Sequence, residues 1–282
     1  MKIIVVDNPK SGSACPRQEI RQKCTAVGIE IERFIAIDSA LARKLAPYAK
    51  KACTIAAIGG DGTISAVAGV IAHTKATLLP LPGGTLNHFT KDLGIPQDID
   101  EALRRTATLK PRRIDIASVN DTYFINNSSL GIYPASLRIR EEIEPSFGKW
   151  LAAIIAALQT LIRLKVYHVI VNDTAFKTPF IFVGNNHYSL GSPGGAQRTK
   201  LNEGILTIYI AKTQSRLTLF KIACLALIGK AKRIPEFTEI HTQTITIETN
   251  RKHISVSHDG EVSRLMMPLH YKVHAGALRV LG

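Results

Sequence analysis

A chain of 282 residues is long enough to bury a large core and, by length alone, to form about two domains. A hydrophobic share of 45% and a charged share of 21% exclude a disordered chain. The 36 Lys and Arg against 22 Asp and Glu leave a formal +14, which favours an anionic partner. Nucleotide, nucleic acid and an anionic lipid surface all fit that sign, as does a merely solvated basic face.

Lys2 to Val6 is predicted as a short apolar strand that ends in the turn-rich run Asp7-Asn8-Pro9-Lys10-Ser11-Gly12. Arg17 to Val27 reads as a helix, Glu30 to Ile37 as a strand, and Ser39 to Lys51 as a helix with Ser39 at its cap. Cys53 to Ile58 is a third strand that runs straight into Gly59-Gly60-Asp61-Gly62-Thr63, and Ile64 to His73 continues as a helix. Thr77 to Leu81 is the fourth strand, ending in Pro82-Gly83-Gly84-Thr85. Strands alternating with helices predict a parallel α/β sheet with crossover connections.

Beyond about residue 112 the pattern changes. Arg113 to Val119, Thr122 to Ser128, Val166 to Val171, Phe180 to Gly184, Leu206 to Ala211, Glu239 to Thr249 and His253 to Ser257 read as strands. Thr242 to Thr249 alternates with period two, as a half-buried antiparallel strand does. Only residues 150–164 and 217–232 read as helical there, so the second half is predicted to be mostly β.

Cys15, Cys24, Cys53 and Cys224 contain no C-x-x-C pair and no metal-ligand spacing, which points to unpaired thiols in a reducing compartment. The amino terminus lacks the long apolar region of a secretory signal. Trp150 to Ile162 and Leu217 to Gly229 are apolar but fall short of the roughly 20 residues a transmembrane helix needs. A soluble cytoplasmic protein, or one held peripherally on the inner membrane face, is expected. No dense Lys/Arg block, zinc-finger spacing or aromatic-rich RNA-binding signature is present, so nucleic acid is not expected as a partner.

Three loops carry chemistry. In Gly59-Gly60-Asp61-Gly62-Thr63 the glycines allow close backbone approach to a polyphosphate, and the following helix offers its first N–H groups to anionic oxygens. An aspartate there suggests work through Mg2+ or on the proton of an attacking hydroxyl, while Gly and Asp also suit a plain strand-to-helix turn. The loop is neither a Walker A motif nor a G-x-G-x-x-G fingerprint, since no Gly-Lys-Ser/Thr follows and Ser65 stands where the third glycine would be. The second loop, Leu81 to Phe89, should emerge at the same sheet edge, where open α/β sheets bind ligands. There Thr85 can give a hydroxyl to phosphate and Asn87 can bridge backbone or phosphate groups; His88 is either a phosphate or metal contact or a structural histidine. The third, His258-Asp259-Gly260-Glu261, sets two carboxylates about a glycine, suited to base catalysis or metal contact and equally to a hairpin turn.

Taken in order with Asn8-Pro9-x-Ser11-Gly12, Asp115, Phe124-Ile125-Asn126, Gly131, Val183-Gly184-Asn185-Asn186 and Leu201-Asn202-Glu203-Gly204, these loops resemble the diacylglycerol kinase catalytic-domain family. That lipid-kinase group includes sphingosine kinases and bacterial lipid kinases. The glycine loop alone is shared with NAD kinases and phosphofructokinases; the ordered set is far more specific. The resemblance implies an α/β nucleotide-binding domain of NAD kinase/diacylglycerol kinase type over residues 1–115, completed by about residues 271–282, and a β-sandwich domain over 116–270. ATP is expected in the cleft between them. The implied activity is that of a phosphotransferase with an alcohol acceptor, moving the ATP γ-phosphate to the hydroxyl of diacylglycerol or a related lipid.

By the same resemblance Asn8, Pro9, Ser11, Gly12, Gly59, Gly60, Asp61, Gly62, Thr63, Gly84, Thr85 and Asn87 are nucleotide contacts. Asp259 and Glu261 jointly serve the acceptor hydroxyl as base, with Asp61 close by. Mg2+ is the implied metal, and Asp115, Lys200, Glu203 and Ile205 are the implied metal residues. Two positions depart from the family. His88 stands where an Asp often organises the nucleotide magnesium, and Asn202-Glu203-Gly204 replaces a common Asp-Asp-Gly. The expected partners are a lipid substrate at a membrane surface and, as an open option, a second copy of the chain. Trp150 to Ile162 is either an interfacial helix or, as an Ala/Ile/Leu stripe more often is, core packing. The competing functions are a NAD-kinase-like enzyme and a catalytically weak nucleotide-binding protein at the membrane surface.

Overall fold

The computed structural model describes residues 1–8, 15–131, 166–171, 174–192, 195–227 and 229–282. Pro9, Ser11, Gly12 and the stretch Trp150 to Ile162 lie outside them. The chain divides into two compact units. The first comprises Met1–Ile116, Thr122–Ile125 and His274–Gly282; the second comprises Ala117–Asp121 and Asn126–Val273.

The elements of the first unit are β1 (Lys2–Asp7), α1 (Arg17–Ala26), β2 (Glu30–Ala36), α2 (Leu41–Ala49), β3 (Thr54–Gly59), α3 (Asp61–Ile71), β4 (Thr77–Pro82), α4 (His88–Asp92), α5 (Ile99–Arg105), most of β5 (Pro111–Val119) and β6 (Thr122–Phe124). Ile3 to Val6, Ile55 to Ala57 and Leu78, Leu79 and Leu81 are buried, the continuous apolar runs of strands covered on both faces. They form the parallel order β2-β1-β3-β4. The chain's last strand runs alongside β4, with Val280 opposite Leu78. Each Ile or Leu buried in this way contributes about 1.5–3 kcal/mol before conformational entropy is charged against it.

Two element starts differ from the sequence expectation. Ser39 does not cap α2. Ala40 occupies the N-cap, and the Asp38 side chain accepts its N–H at 2.9 Å, so the turn is closed from one residue further back. α3 begins at Asp61 rather than Ile64, because Gly60 is extended (φ −79, ψ −179) and lets the helix start at once. Asp61, Gly62 and Thr63 therefore form the first helical turn. α5 is capped conventionally, with Asp98 accepting the Glu101 N–H at 2.9 Å.

The second unit continues with β7 (Asn127–Gly131), β8 (Tyr167–Val171), β9 (Thr174–Thr178), β10 (Phe180–Asn185), β11 (Ser189–Ser192), β12 (Gly195–Gln197), β13 (Leu206–Ala211), α6 (Arg216–Leu227), β14 (Phe237–Thr242), β15 (Thr244–Thr249), β16 (His253–His258), β17 (Glu261–Met266) and β18 (Leu269–Leu281), whose last part returns to the first unit. One antiparallel sheet has the order β14-β13-β10-β7-β16-β17. A second antiparallel set joins the start of β18, β15, β8 and β9. The fold is thus an amino-terminal α/β domain followed by a β-sandwich domain.

Glu239 to Thr249 reads as one strand but is two, in different sheets. At the break the Thr242 hydroxyl donates to the Thr244 carbonyl at 2.8 Å, a local bond that competes with the ladder. Thr122 to Ser128 is likewise divided into β6 and β7, where the chain passes between units. No helix among the described residues is long and apolar enough to cross a membrane. The four cysteines are free; Cys24 is buried and Cys224 exposed. Burial pushes the Cys24 thiol up to about 11, so a maleimide reagent at neutral pH should label Cys224 first and Cys24 last, as peptide mapping by mass spectrometry would show.

Candidate functional site

The two glycine loops of the first unit are packed backbone against backbone. The Gly83 N–H donates to the Gly59 carbonyl at 3.1 Å. A Cβ on Gly83 would come within 2.9 Å of the Gly59 nitrogen, and one on Gly84 would overlap the Gly60 Cα and reach the Asn87 Oδ1 at 2.9 Å. Gly59 in turn faces Thr63, whose side chain would meet an added Cβ at 2.7 Å. These glycines are therefore required by close approach.

Polar side chains complete the fit. Asn87, buried and left-handed (φ 50, ψ 46), accepts the Gly84 N–H at 2.9 Å and returns its amide to the Gly84 carbonyl at 3.0 Å. Its short amide side chain is the kind that tolerates this backbone region. The Asp61 carboxylate accepts the backbone N–H groups of His88 at 3.0 Å and Phe89 at 2.9 Å, the first two of α4. An anionic acceptor at a helix N-terminus is favourable. So one carboxylate on the first loop holds the second in place, and the His88 side chain is left exposed beside it.

This arrangement fits a polyphosphate. The first N–H groups of α3 lack intrahelical partners by geometry, and a helix start of this kind suits anionic oxygens. Thr85, exposed at the tip of the second loop, can offer its hydroxyl. Asn8 follows the end of β1, where the buried Asp7 takes a bidentate ion pair from Arg17 at 2.7 and 2.8 Å. That pair ties the end of β1 to the first residue of α1. Sequence reasoning missed it, although an Asp at the end of a buried strand was a signal. Asp115, 2% exposed, accepts the Gly276 N–H at 2.8 Å and so binds β5 to β18 within this unit.

In the second unit Asp259 and Gly260 form a two-residue hairpin turn between β16 and β17, with φ 46 and 89. Both central angles are positive, the conformation that Asp-Gly supplies most readily. The turn reading and the chemical reading are compatible, because the Asp259 Oδ1 is held by the N–H groups of Asn126 at 2.8 Å and Asn127 at 3.1 Å. Glu261, opposite His258 at the start of β17, is exposed. Arg198, buried, reaches the Asn126 Oδ1 at 2.6 Å and the Asn185 carbonyl at 3.2 Å, with its guanidinium over the Tyr188 ring. Arg198 had no signal in the sequence; Asn126 and Asn185 stood in the motif set without an assigned duty.

Glu203 accepts the His187 N–H through Oε2 at 3.0 Å, and its own N–H donates to Asn186 Oδ1 at 2.8 Å. The Ile205 carbonyl accepts the Asn186 N–H at 2.9 Å. A carboxylate with the Lys200 and Ile205 carbonyls is a hard oxygen set of the kind Mg2+ takes. Asp115 belongs to the first unit and these three residues to the second.

Residues 2–119 match the family described as the diacylglycerol kinase catalytic domain, and residues 139–282 match the YegS C-terminal NAD kinase beta sandwich-like domain. A Bacillus subtilis protein named diacylglycerol kinase is 27% identical over 281 residues, covering 93% of this chain and 90% of its own. A Chromohalobacter salexigens protein named probable lipid kinase YegS-like is 27% identical over 218 residues, covering 72% of this chain and 68% of its own. A crystal structure of a diacylglycerol kinase from Bacillus anthracis superposes with a TM-score of 0.74 at 22% identity, over 99% of this chain and 96% of that one, a likeness of fold.

Proposed function

The chain belongs to the diacylglycerol kinase catalytic-domain family and is a lipid kinase, a phosphotransferase with an alcohol acceptor; from that premise we propose that it takes the γ-phosphate of ATP and transfers it to diacylglycerol or a closely related lipid. The observation that carries the nucleotide half of this reading is the interlock of the two glycine loops, closed by Gly83 on Gly59 and clamped by Asp61 on α4.

Phosphoryl transfer asks little covalent chemistry of a protein; positioning and charge stabilisation carry most of it. The backbone N–H groups at the start of α3 and the Thr85 hydroxyl bind and orient phosphate oxygens. Asn87 keeps the second loop closed against the first, and Asp61 keeps α4 docked, so the donors are in place before the nucleotide arrives. Asp259, fixed through Oδ1, and Glu261 take the proton of the lipid hydroxyl as it attacks. When bound, Mg2+ offsets the charge on the phosphates. Separately from the nucleotide, Glu203 with the carbonyls of Lys200 and Ile205 is an oxygen set that would hold a structural Mg2+. The enzyme works on a lipid at the surface of the membrane, and the +14 charge suits an anionic surface.

The test is transfer from labelled ATP with magnesium to a panel of diacylglycerol, ceramide, sphingosine and phosphatidylglycerol, with NAD beside them. Label is expected in the diacylglycerol product. Label in NADP with none in any lipid would overturn the proposal in favour of a NAD-kinase-like enzyme.

A further inference from the structure

On the second unit, at residues given no role in the reaction above, two histidines and a carboxylate meet. One ligand-capable atom each from His187, Glu239 and His241 lies within 4.8 Å of the others. We propose that these three residues form a binding site for a zinc-class divalent ion, with water completing a four-coordinate sphere.

The placement follows from the strands. Glu239 and His241 are two residues apart on β14, so their side chains share one face of that edge strand. His187 comes just after β10, beyond the bridge from Asn186 to Leu206. The rings of His187 and His241 stand 5.3 Å apart and are tilted by 38°, not stacked flat. The His241 Nε2 is 2.9 Å from the Glu239 Oε1, so two of the three ligand atoms already converge.

The surroundings match what a metal-binding imidazole needs. The other nitrogen of His241, Nδ1, lies 3.3 Å from the Thr207 hydroxyl, and Thr207 is its direct cross-strand neighbour. A hydroxyl that accepts from Nδ1 leaves the Nε2 lone pair facing the Glu239 carboxylate. Such outer partners orient metal-bound histidines and set their basicity. His187 is steadied separately, since its backbone N–H is held by Glu203 at 3.0 Å. Two neutral imidazoles and one carboxylate are borderline donors that suit Zn2+ with bonds of about 2.0–2.2 Å, and short side-chain rotations close the present spread to that size. His241, with 41% of its side chain exposed, leaves an open side for water. A bound ion would tie the free edge of β14 to the segment after β10, and through His187 to the loop of Glu203.

The plain competitor is an ion pair between His241 and Glu239 with His187 beside it. Calorimetric titration of the full chain with Zn2+, after chelator treatment, separates the two without any use of kinase activity. One equivalent should bind with a dissociation constant in the micromolar range or below. His187→Ala and His241→Ala should each weaken it by about a hundredfold and Thr207→Val by about tenfold, the scale on which ligand and outer-partner losses act. His270→Ala, at an exposed histidine on β18, should leave it unchanged. Co2+ in place of zinc should give a visible band that the same variants abolish. If a histidine variant fails to fold by circular dichroism, the isosteric Glu239→Gln decides, with the same loss expected. Zinc binding unaltered in the folded variants, or none below millimolar in the wild type, would overturn the proposal.

Discussion

Asp259→Ala is expected to abolish transfer of phosphate to lipid while leaving ATP binding nearly intact. Removing a positioned general base costs about 10²–10⁴ in rate, and the loops proposed to bind phosphate lie in the other unit of the chain. The alanine also takes away the acceptor for the Asn126 and Asn127 N–H groups and forces a non-glycine, non-Asx residue to keep φ at 46. Those losses threaten the turn itself, by about 1–3 kcal/mol for the orphaned donors. Asp259→Asn separates the effects, because it keeps an oxygen acceptor and a left-handed preference while removing the charge. Transfer assays beside ATP calorimetry should show the Asp259→Asn protein folded, able to bind nucleotide, and slowed by at least about a hundredfold. Full activity in that variant would remove Asp259 from base catalysis and leave Glu261 to carry it.

Gly84→Ala should have the second large effect, on the nucleotide. The new methyl would overlap the Gly60 Cα and crowd both the Gly60 nitrogen, at 3.0 Å, and the Asn87 Oδ1, at 2.9 Å. Two of these neighbours are backbone at the start of α3, so relief requires the loops to part rather than a side chain to turn. Overpacking of this kind costs about 1–3 kcal/mol and here also moves the donors proposed to face phosphate. Thermal melting should fall by several degrees, and ATP affinity should drop at least about tenfold, as each 1.4 kcal/mol is a factor of ten. Gly28→Ala is the control. Its φ is +73 but nothing lies within 4 Å of an added Cβ, so it should lose about 1–2 kcal/mol of stability to backbone strain alone and still bind ATP normally.

The first unit was readable in the sequence because β1, β3 and β4 are covered on both faces. Ile3 to Val6 and Leu78 to Pro82 are unbroken apolar runs, and each loop that follows is marked by glycines. What could not be read was the reason for individual glycines. That Gly84 answers Gly60 depends on a close approach between two loops that are well separated along the chain. Asp61 illustrates the same limit. Its charge suggested magnesium or a proton, whereas its geometry adds the clamping of α4, a duty that spacing alone does not reveal.

The second unit was harder. Some of its strands, such as β14 and β17, are half-exposed, and local hydroxyl bonds such as that of Thr242 to the Thr244 carbonyl divide what period two presents as one strand. Asp259-Gly260 could be read both as a hairpin turn and as catalytic chemistry, and its backbone is indeed the turn. His187, Glu239 and His241 had no motif at all. Glu239 and His241 are joined by the strand period, but only the antiparallel pairing brings His187 to them.

ATP-dependent phosphorylation of a lipid hydroxyl stands or falls on the chemical identity of the product. The wild-type chain is incubated with magnesium, ATP labelled in its γ-phosphoryl oxygens, and diacylglycerol in mixed micelles, and the extracted lipid is weighed by mass spectrometry. Phosphatidic acid that carries the labelled phosphoryl group is the expected product. Unmodified diacylglycerol and unlabelled companion lipids, with the label recovered in NADP when NAD is supplied, would contradict the assignment.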